Sequence, residues 1–363
     1  MRFFLKNYFP FLLGLLALLL RVFWGFFPAH CETYYARGIF LSIRKGLDAL
    51  FSGLPFAAFY LFWASFFVWG AYRLWVAYRA RPFGGWKKFY WIQLRASANF
   101  VGVIVSLFLG LWGYNYARIP LEEQLNLAVA PLSQEELRAE GALILERVAQ
   151  ARYEIAPLDS FALDSAILPR DLVAHLRTCL EGELAKLGYP HQASFKLRAL
   201  QPKGLGYGFN ASGFYWPFTG EAHIESALHP LQQPFTIAHE LAHGYGFGDE
   251  ASCNFLAYIA CKASSNAFVR YTGELAYWRY VFSELKYSDY GYYRYMRDQI
   301  DRGVHQDLEA IYAQMQPYFE FVPGLHGIAY ETYLQMQGVK EGLDSYDRMV
   351  LLVYAWEKQK LIE

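Results

Sequence analysis

The sequence contains little charge and few cysteines for its length. Only 18% of its 363 residues are Asp, Glu, Lys or Arg, whereas 55% are hydrophobic and 19% are aromatic. This balance excludes a disordered chain, a collagen-like chain and a protein that coats nucleic acid with a basic surface. A chain of this length is within reach of two domains.

The four cysteines are too few to act as a disulfide scaffold in a chain of this size. Their spacing matches no metal-binding motif. Cys253 and Cys261 lie eight residues apart and would share one helix face, where we expect burial as small hydrophobic side chains. An oxidising compartment would allow a disulfide that includes Cys179, and the sequence leaves that pairing open.

A net charge of zero hides two different halves of the chain. Residues 1–117 carry twelve Lys or Arg and two acids, which gives a charge of +10. Residues 118–363 carry 21 basic and 31 acidic residues, which gives −10. We therefore expect the two halves to lie in different environments.

Three apolar stretches in the first half are long enough to cross a membrane. Residues 8–27 contain one charge, Arg21, and residues 50–72 and 96–117 contain none. Each stretch has 20 to 23 residues, enough for about 30 Å of hydrocarbon. We predict three transmembrane helices within residues 1–117, the first an uncleaved anchor because no small-residue cleavage site follows it cleanly.

The loop between the second and third predicted helices fixes the expected orientation. It contains no acid and six basic residues: Arg73, Arg79, Arg81, Lys87, Lys88 and Arg95. Lys and Arg are retained on the cytoplasmic side during insertion, so everything after residue 117 is expected outside the cytoplasm. Since topology explains this basic loop and no other basic patch exists, we expect neither a nucleic-acid nor a nucleotide partner.

The second half is predicted to be mainly helical. Residues 118–132 are expected to form a linker, and Ser133-Gln-Glu-Glu136 has the form of a capping box that opens a helix. Another helix is expected over about 169–187, short strands between about 193 and 225, and helices after Pro234. This predicts an α+β domain with a small sheet over residues 133–363.

The residues that carry chemistry concentrate in the segment His239-Glu-Leu-Ala-His243. Residues four apart share a helix face, so the two histidines can offer their imidazoles to one Zn²⁺. Glu240 follows the first of them and has the position of a general base that acts on the attacking water. The competing interpretation is a chance pair of histidines on an amphipathic helix.

A catalytic zinc needs a third protein ligand, and two residues compete for that role. Asp249 completes His-Glu-x-x-His-x-x-Gly-x-x-Asp, the metzincin spacing. Glu250 opens the next predicted helix and has Asn254 one turn later, an arrangement that resembles gluzincins, where such a residue orients a ligand histidine. We favour Glu250 as the ligand and Asp249 as a helix N-cap.

Further segments carry a resemblance to a known family. They are Trp112-Gly-Tyr-Asn115-Tyr116-Ala-Arg118-Ile-Pro120, Ser212-Gly-Phe-Tyr-Trp-Pro-Phe-Thr-Gly-Glu-Ala222, Pro234 to His243, Gly246-Phe-Gly-Asp-Glu250 with Asn254-Phe255, and Ser345-Tyr346. Together they resemble the bacterial membrane proteins grouped as domain of unknown function 3810, which are regarded as zinc metallopeptidases. The resemblance covers nearly the whole chain. It implies three anchors in the inner membrane, a periplasmic domain with a zincin-like fold, and Zn²⁺ as cofactor.

The resemblance also suggests roles for residues outside the motif. In zincins an edge strand upstream of the zinc helix holds the peptide, which gives a role to residues 220–225 and to Glu221 or His223 in contacting substrate. An ordinary strand is the competing interpretation. Tyr346 is the first candidate for stabilising the oxyanion because its Ser-Tyr pair is a mark of the family. The other candidates are Tyr333, His326 and His305.

The expected function is therefore zinc-dependent hydrolysis of peptide bonds in an unknown protein or peptide, by an enzyme anchored in the lipid bilayer. The alternative is a membrane-anchored zinc-binding sensor or scaffold that does not cleave. Glu240 favours hydrolysis, because a purely structural site needs no base. Transport is disfavoured because only Arg21 is charged within the predicted spans.

Overall fold

The computed structural model describes residues 2–80, 85–157, 161–163, 168–190, 194–321 and 348–361. The chain divides into two compact units. The first unit comprises Met1–Ile119, Ser194–Lys196 and Trp216–Glu221. The second comprises Pro120–Ala193, Leu197–Tyr215 and Ala222–Glu363.

The first unit is helical along almost all of its N-terminal segment. Its α-helices are α1 (Arg2–Phe26), α2 (Pro28–His30), α3 (Phe40–Phe51), α4 (Ala58–Ala80) and α5 (Gly85–Leu111). A π-helix, Cys31–Ile39, joins α2 to α3, and a 3₁₀-helix, Gly113–Ala117, follows α5.

Helices α1 and α5 pack closely because glycines face each other. A Cβ atom on Gly14 would lie 2.6 Å from the Cα atom of Gly102, so neither position has room for a side chain. Small residues of this kind let membrane helices approach. Asn99 of α5 also donates to the Asn7 carbonyl at 2.8 Å and accepts from the Phe11 amide at 3.3 Å, which satisfies backbone groups next to Pro10 in α1.

Two described helices, not the expected three, are long and apolar enough to cross a membrane: Asn7–Phe26 and Gly85–Leu111. The expectation for residues 50–72 was wrong in its bounds, since the helix begins only at Ala58 and runs to Ala80. Its sequence includes Trp, Tyr and Arg side chains, and it is not among the helices that are apolar enough. The third predicted span also ends early, because the α-helix stops at Leu111.

The buried carboxylate of Glu32 binds Arg118, the residue that follows the 3₁₀-helix. Glu32 of the π-helix accepts two hydrogen bonds of 2.8 Å from Arg118 and one of 2.7 Å from Arg37. Burial alone would raise the pKa of Glu32, but the two guanidinium groups hold it below its usual value. Arg118 therefore fastens the end of this segment to the π-helix.

The second unit holds most of the remaining elements. Its helices are α6 (Leu121–Gln124), α7 (Gln134–Tyr153), α8 (Leu172–Lys186), α9 (Leu205–Gly208), α10 (Gln233–Gly244), α11 (Glu250–Lys262), α12 (Ala267–Ser288), α13 (Tyr290–Arg297), α14 (Arg302–Met315) and α15 (Arg348–Lys360). The predicted capping box is confirmed, since Ser133 and Glu136 each bind the other's backbone amide. The segment expected as a linker contains α6.

A three-stranded sheet has the order β1 (Leu197–Leu200), β3 (Glu221–Glu225), β2 (Gly213–Trp216). β1 runs parallel to β3 with Leu197 opposite Ala222, and β2 and β3 form a hairpin. β3 is thus the central strand, which corrects the expectation that residues 220–225 form an edge. β1 precedes the hairpin in the chain and pairs in parallel with the side of β3 that does not face β2.

Helix α11 is the core of the second unit, with every residue from Glu250 to Cys261 buried. A helix that is buried all round packs against several neighbours, here α8, α10, α12 and α15. A Cβ atom on Gly273 of α12 would lie 2.6 Å from the Cβ atom of Cys261, so a glycine is needed at this crossing. The expected burial of Cys253 and Cys261 is confirmed, and all four cysteines are free.

The far end of α11 is held by an ionic network. Arg147 of α7 pairs with Glu274 of α12 at 2.6 Å and with Glu357 of α15 at 2.9 Å. It also donates to the hydroxyl of Tyr258 on α11. Four helices are therefore joined through one guanidinium group.

Candidate metal centre

Helix α10 places two histidines on one face, with His243 buried and His239 partly buried. Pro234 lies in its first turn, where a missing amide hydrogen costs nothing. His239 and His243 are one turn apart, and their Nε2 atoms lie 3.1 Å from each other. Both side chains therefore present a nitrogen to the same point.

A glycine turn brings the chain back to these histidines. Gly246 has a φ of +89°, a conformation that favours glycine. The amide of Phe247 donates to the Ala242 carbonyl at 3.3 Å and that of Gly246 to the His243 carbonyl at 3.0 Å. These two bonds end α10 as a Schellman motif and start the return of the chain.

Glu250, the first residue of α11, completes a cluster with the two histidines. Its Oε2 atom lies 3.1 Å from His239 Nε2, and its Oε1 atom lies 3.6 Å from His243 Nε2. The preceding Asp249 is the N-cap of α11, with its carboxylate accepting from the Ser252 amide at 2.8 Å. Asp249 therefore caps α11, whereas Glu250 faces the two histidines.

The other ring nitrogen of each histidine has a partner that fixes the ring. His239 Nδ1 lies 2.8 Å from Asn254 Oδ1, and His243 Nδ1 donates to the Phe247 carbonyl at 2.8 Å. Cys253 Sγ lies 3.3 Å from the same His243 nitrogen. With both Nδ1 atoms protonated, both Nε2 lone pairs face the cluster, the arrangement of metal-binding histidines.

The spacing and chemistry of the three donors fit a zinc ion. Donors held tetrahedrally at about 2.0–2.1 Å from zinc lie about 3.3 Å apart, close to the observed 3.1 and 3.6 Å. All three ligand atoms lie within 4.8 Å of one another. Within the described part of the chain, no fourth His, Cys, Asp or Glu joins the group.

Two buried carboxylates at this centre have opposite proton affinities. Glu240 is 4% exposed, and burial raises its pKa to about 7, although the neighbouring imidazoles oppose the rise. Burial would also raise the pKa of Glu250, but His243 and His239 outweigh it and hold that pKa well below its usual value. The environment thus makes Glu240 suited to accept and release a proton, and Glu250 suited to bind a cation.

The carboxylate of Glu240 lies against the first residue of β2. A Cβ atom built on Gly213 would be 2.6 Å from Glu240 Oε1 and 2.8 Å from Glu240 Cγ. The outer strand of the hairpin therefore passes directly over the predicted base.

Comparison with known proteins places the chain in a family. The family model described as protein of unknown function (DUF3810) matches residues 35–354. The chain belongs to this DUF3810 family. We found no match among curated proteins or among solved structures.

Among the described residues of the DUF3810 protein, Glu221, His223 and His305 are not part of the donor cluster. Glu221 is 2% exposed and accepts hydrogen bonds from the Ala58 amide at 2.7 Å and from Thr219 at 3.2 Å. His223 is fully buried and its ring stacks on Phe214 at 4.8 Å. His305 is exposed on α14. Tyr346, Tyr333 and His326 lie outside the described residues.

Three features of the centre had no signal in the sequence. The Phe247 carbonyl and Cys253 reach His243 only because the glycine turn folds back. Gly213 reaches Glu240 only because the hairpin lies over α10. The contact between Asn254 and His239, by contrast, was expected, because Asn254 lies one turn after Glu250.

Proposed function

We propose that this protein is a membrane-anchored zinc metallopeptidase with a zincin-like domain, in which His239, His243 and Glu250 hold the metal. One observation carries the proposal. Two Nε2 atoms and a carboxylate converge at zinc-ligand spacing while a second, protonatable carboxylate, Glu240, lies beside them. A structural zinc site would have no use for that second carboxylate.

The residues divide the work of hydrolysis between them. Bound zinc would supply Lewis acidity, which polarises a carbonyl and makes water more acidic. Glu240 takes a proton from the attacking water and returns it to the leaving amine, a task for which a pKa near 7 is well matched. Asn254 and the Phe247 carbonyl keep the two imidazoles oriented.

The sheet suggests how a peptide is presented to the centre. β3 has a neighbour on each side, so its main chain is already paired. Among the described strands, β2 is at the outside of the sheet, and it starts against Glu240. An extended peptide that adds to β2 would pass the base, so this strand takes over the role expected of β3.

We further propose the membrane arrangement that the charges favour. Helix α4 has 23 residues, about 34 Å at 1.5 Å per residue, which is long enough to span a bilayer. With α4 as a third span, the basic loop between α4 and α5 is cytoplasmic. The second unit then lies in the periplasm of a bacterial inner membrane.

The proposal is tested on the full chain in detergent, with zinc measured by mass spectrometry and cleavage measured on a fluorogenic peptide library. We expect about one zinc per wild-type chain. Glu240→Gln should keep the metal but lose about 10²–10⁴-fold in turnover. Glu250→Ala should lose the metal, whereas the control Asp249→Asn should keep both metal and activity.

Two results would contradict the proposal. A folded wild-type chain without zinc under zinc-replete conditions would remove the metal centre. Full cleavage by Glu240→Gln would remove the mechanism. A chain that binds zinc but cleaves nothing in the library would favour the sensor or scaffold function.

A further inference from the structure

Gly213 is a glycine that backbone conformation does not explain. Its φ lies outside the left-handed region, and it sits in a regular strand, where glycine weakens pairing and most residues fit. Lack of space does explain it. A Cβ atom here would lie 2.6 Å from Glu240 Oε1 and 2.8 Å from the carbonyl oxygen of His223.

The strand has little freedom to move away from this contact. The Glu225 amide donates to the Ser212 carbonyl at 2.8 Å, which fixes the residue before Gly213. The ring of Phe214, the residue after it, stacks on His223 at 4.8 Å on the other face of the hairpin. A side chain added at Gly213 would therefore press on the Glu240 carboxylate as well as on the His223 carbonyl of the neighbouring strand.

Glu240 has little access to solvent. It is 4% exposed, and its carboxylate lies against the first residue of β2. The position of the carboxylate is then set by how closely the strand approaches. That approach depends on the missing side chain at Gly213.

We propose that Gly213 is a positioning residue, whose lack of a side chain holds the carboxylate of Glu240 where it can act as the base. This inference rests on the proposed peptidase function for its catalytic meaning. Its physical content, a packing contact between residue 213 and Glu240, does not depend on that function. Misplacing a catalytic group by about 1 Å can cost about 100-fold in rate.

The catalytic part is tested with Gly213→Ala in the full chain. We expect zinc content to be unchanged, KM for a cleaved peptide to change little, and kcat to fall about 100-fold. The matched control is Gly273→Ala in α12, where a Cβ atom would also lie 2.6 Å from another side chain, that of Cys261. This control crowds the core without touching Glu240, and its kcat should stay within about threefold of wild type.

The packing part is tested by a double-mutant cycle in thermal unfolding of the metal-free protein. Gly213→Ala should lower the midpoint by about 2–10 °C in the wild-type background. The loss should be smaller in a Glu240→Ala background, because one of the two crowded groups is gone while the His223 carbonyl remains. Equal losses in both backgrounds would overturn the inference.

The two measurements separate the inference from the proposed function. If the wild type cleaves no peptide, the proposed function fails, but the unfolding cycle still decides whether residue 213 and Glu240 are coupled. If the wild type cleaves and Gly213→Ala retains a kcat within twofold of it, the positioning role of Gly213 is overturned and the peptidase stands.

Discussion

His223 shows how burial sets a single side chain's response to pH. It lies in the middle of the central strand with no exposed surface, and burial lowers its pKa to about 3. The unfolded chain takes up this proton near pH 6.5, whereas the folded chain resists it. Stability from this residue is therefore complete above about pH 6.5 and falls as the pH drops from 6.5 toward 3.

We expect His223→Phe, which keeps an aromatic ring against Phe214, to remove this pH dependence. Between pH 7.5 and 5, the wild type should lose stability more steeply, by up to about 1.4 kcal/mol per pH unit below pH 6.5. The measurement is the thermal midpoint of both proteins across that range. Parallel curves would show that His223 does not resist protonation in the folded state.

At the residue scale, spacing carried most of the prediction of the donor cluster. His239, Glu240 and His243 follow from the helical period alone. Spacing favoured Glu250 over Asp249 because of Asn254 one turn later, but it left Asp249 as an alternative, since both residues come just after the glycine turn. Their separation depends on where α11 starts, and helix ends are set by capping contacts that sequence locates only within a residue or two.

At the element scale, the start of α11 decides which carboxylate faces the histidines. Asp249 caps the helix through the Ser252 amide and hydroxyl at 2.8 and 2.6 Å. We expect Asp249→Ala to lower the free energy of unfolding by about 1 kcal/mol, and Asp249→Asn to lower it by only a few tenths, because Asn is an equally good cap. Both variants should retain zinc.

Denaturant unfolding of the full chain in detergent, read by circular dichroism beside metal analysis, checks this expectation. Loss of zinc in Asp249→Ala with an unchanged unfolding midpoint would contradict it. That result would make Asp249 a ligand.

The order of the strands illustrates what local patterns leave out. Residues 220–225 were recognised as a strand, but their central position depends on β1 arriving in parallel from more than twenty residues earlier. A parallel pair needs a long connection that leaves no short-range signature. The hairpin turn after Trp216, by contrast, is local and follows its glycine.

At the scale of the whole molecule, the number of spans decides the side on which the second unit lies. With α1, α4 and α5 all crossing and the N-terminus inside, Lys87 is cytoplasmic and the second unit is outside. If only α1 and α5 cross, Lys87 lies outside and the second unit lies in the cytoplasm. Hydropathy could not settle this, because α4 is rich in aromatic residues and ends with Arg79.

We expect a membrane-impermeant maleimide to label Lys186→Cys but not Lys87→Cys in intact spheroplasts. Both positions are exposed, and a Cys179→Ser background removes the one native cysteine that is not fully buried. Permeabilised cells, in which both should react, provide the control. Labelling of Lys87→Cys alone would favour the two-span arrangement.

The burial of α11 from Glu250 to Cys261 also affects how fast this helix can move. We expect the amides of such a helix to exchange with solvent mainly through global opening, because buried core helices lie at the high end of local stability. Glu250 is carried at one end of this helix, and Arg147 holds its other end through Tyr258. We therefore expect Glu250 to separate from the two histidines at about the rate of global unfolding, which is much slower than loop motion.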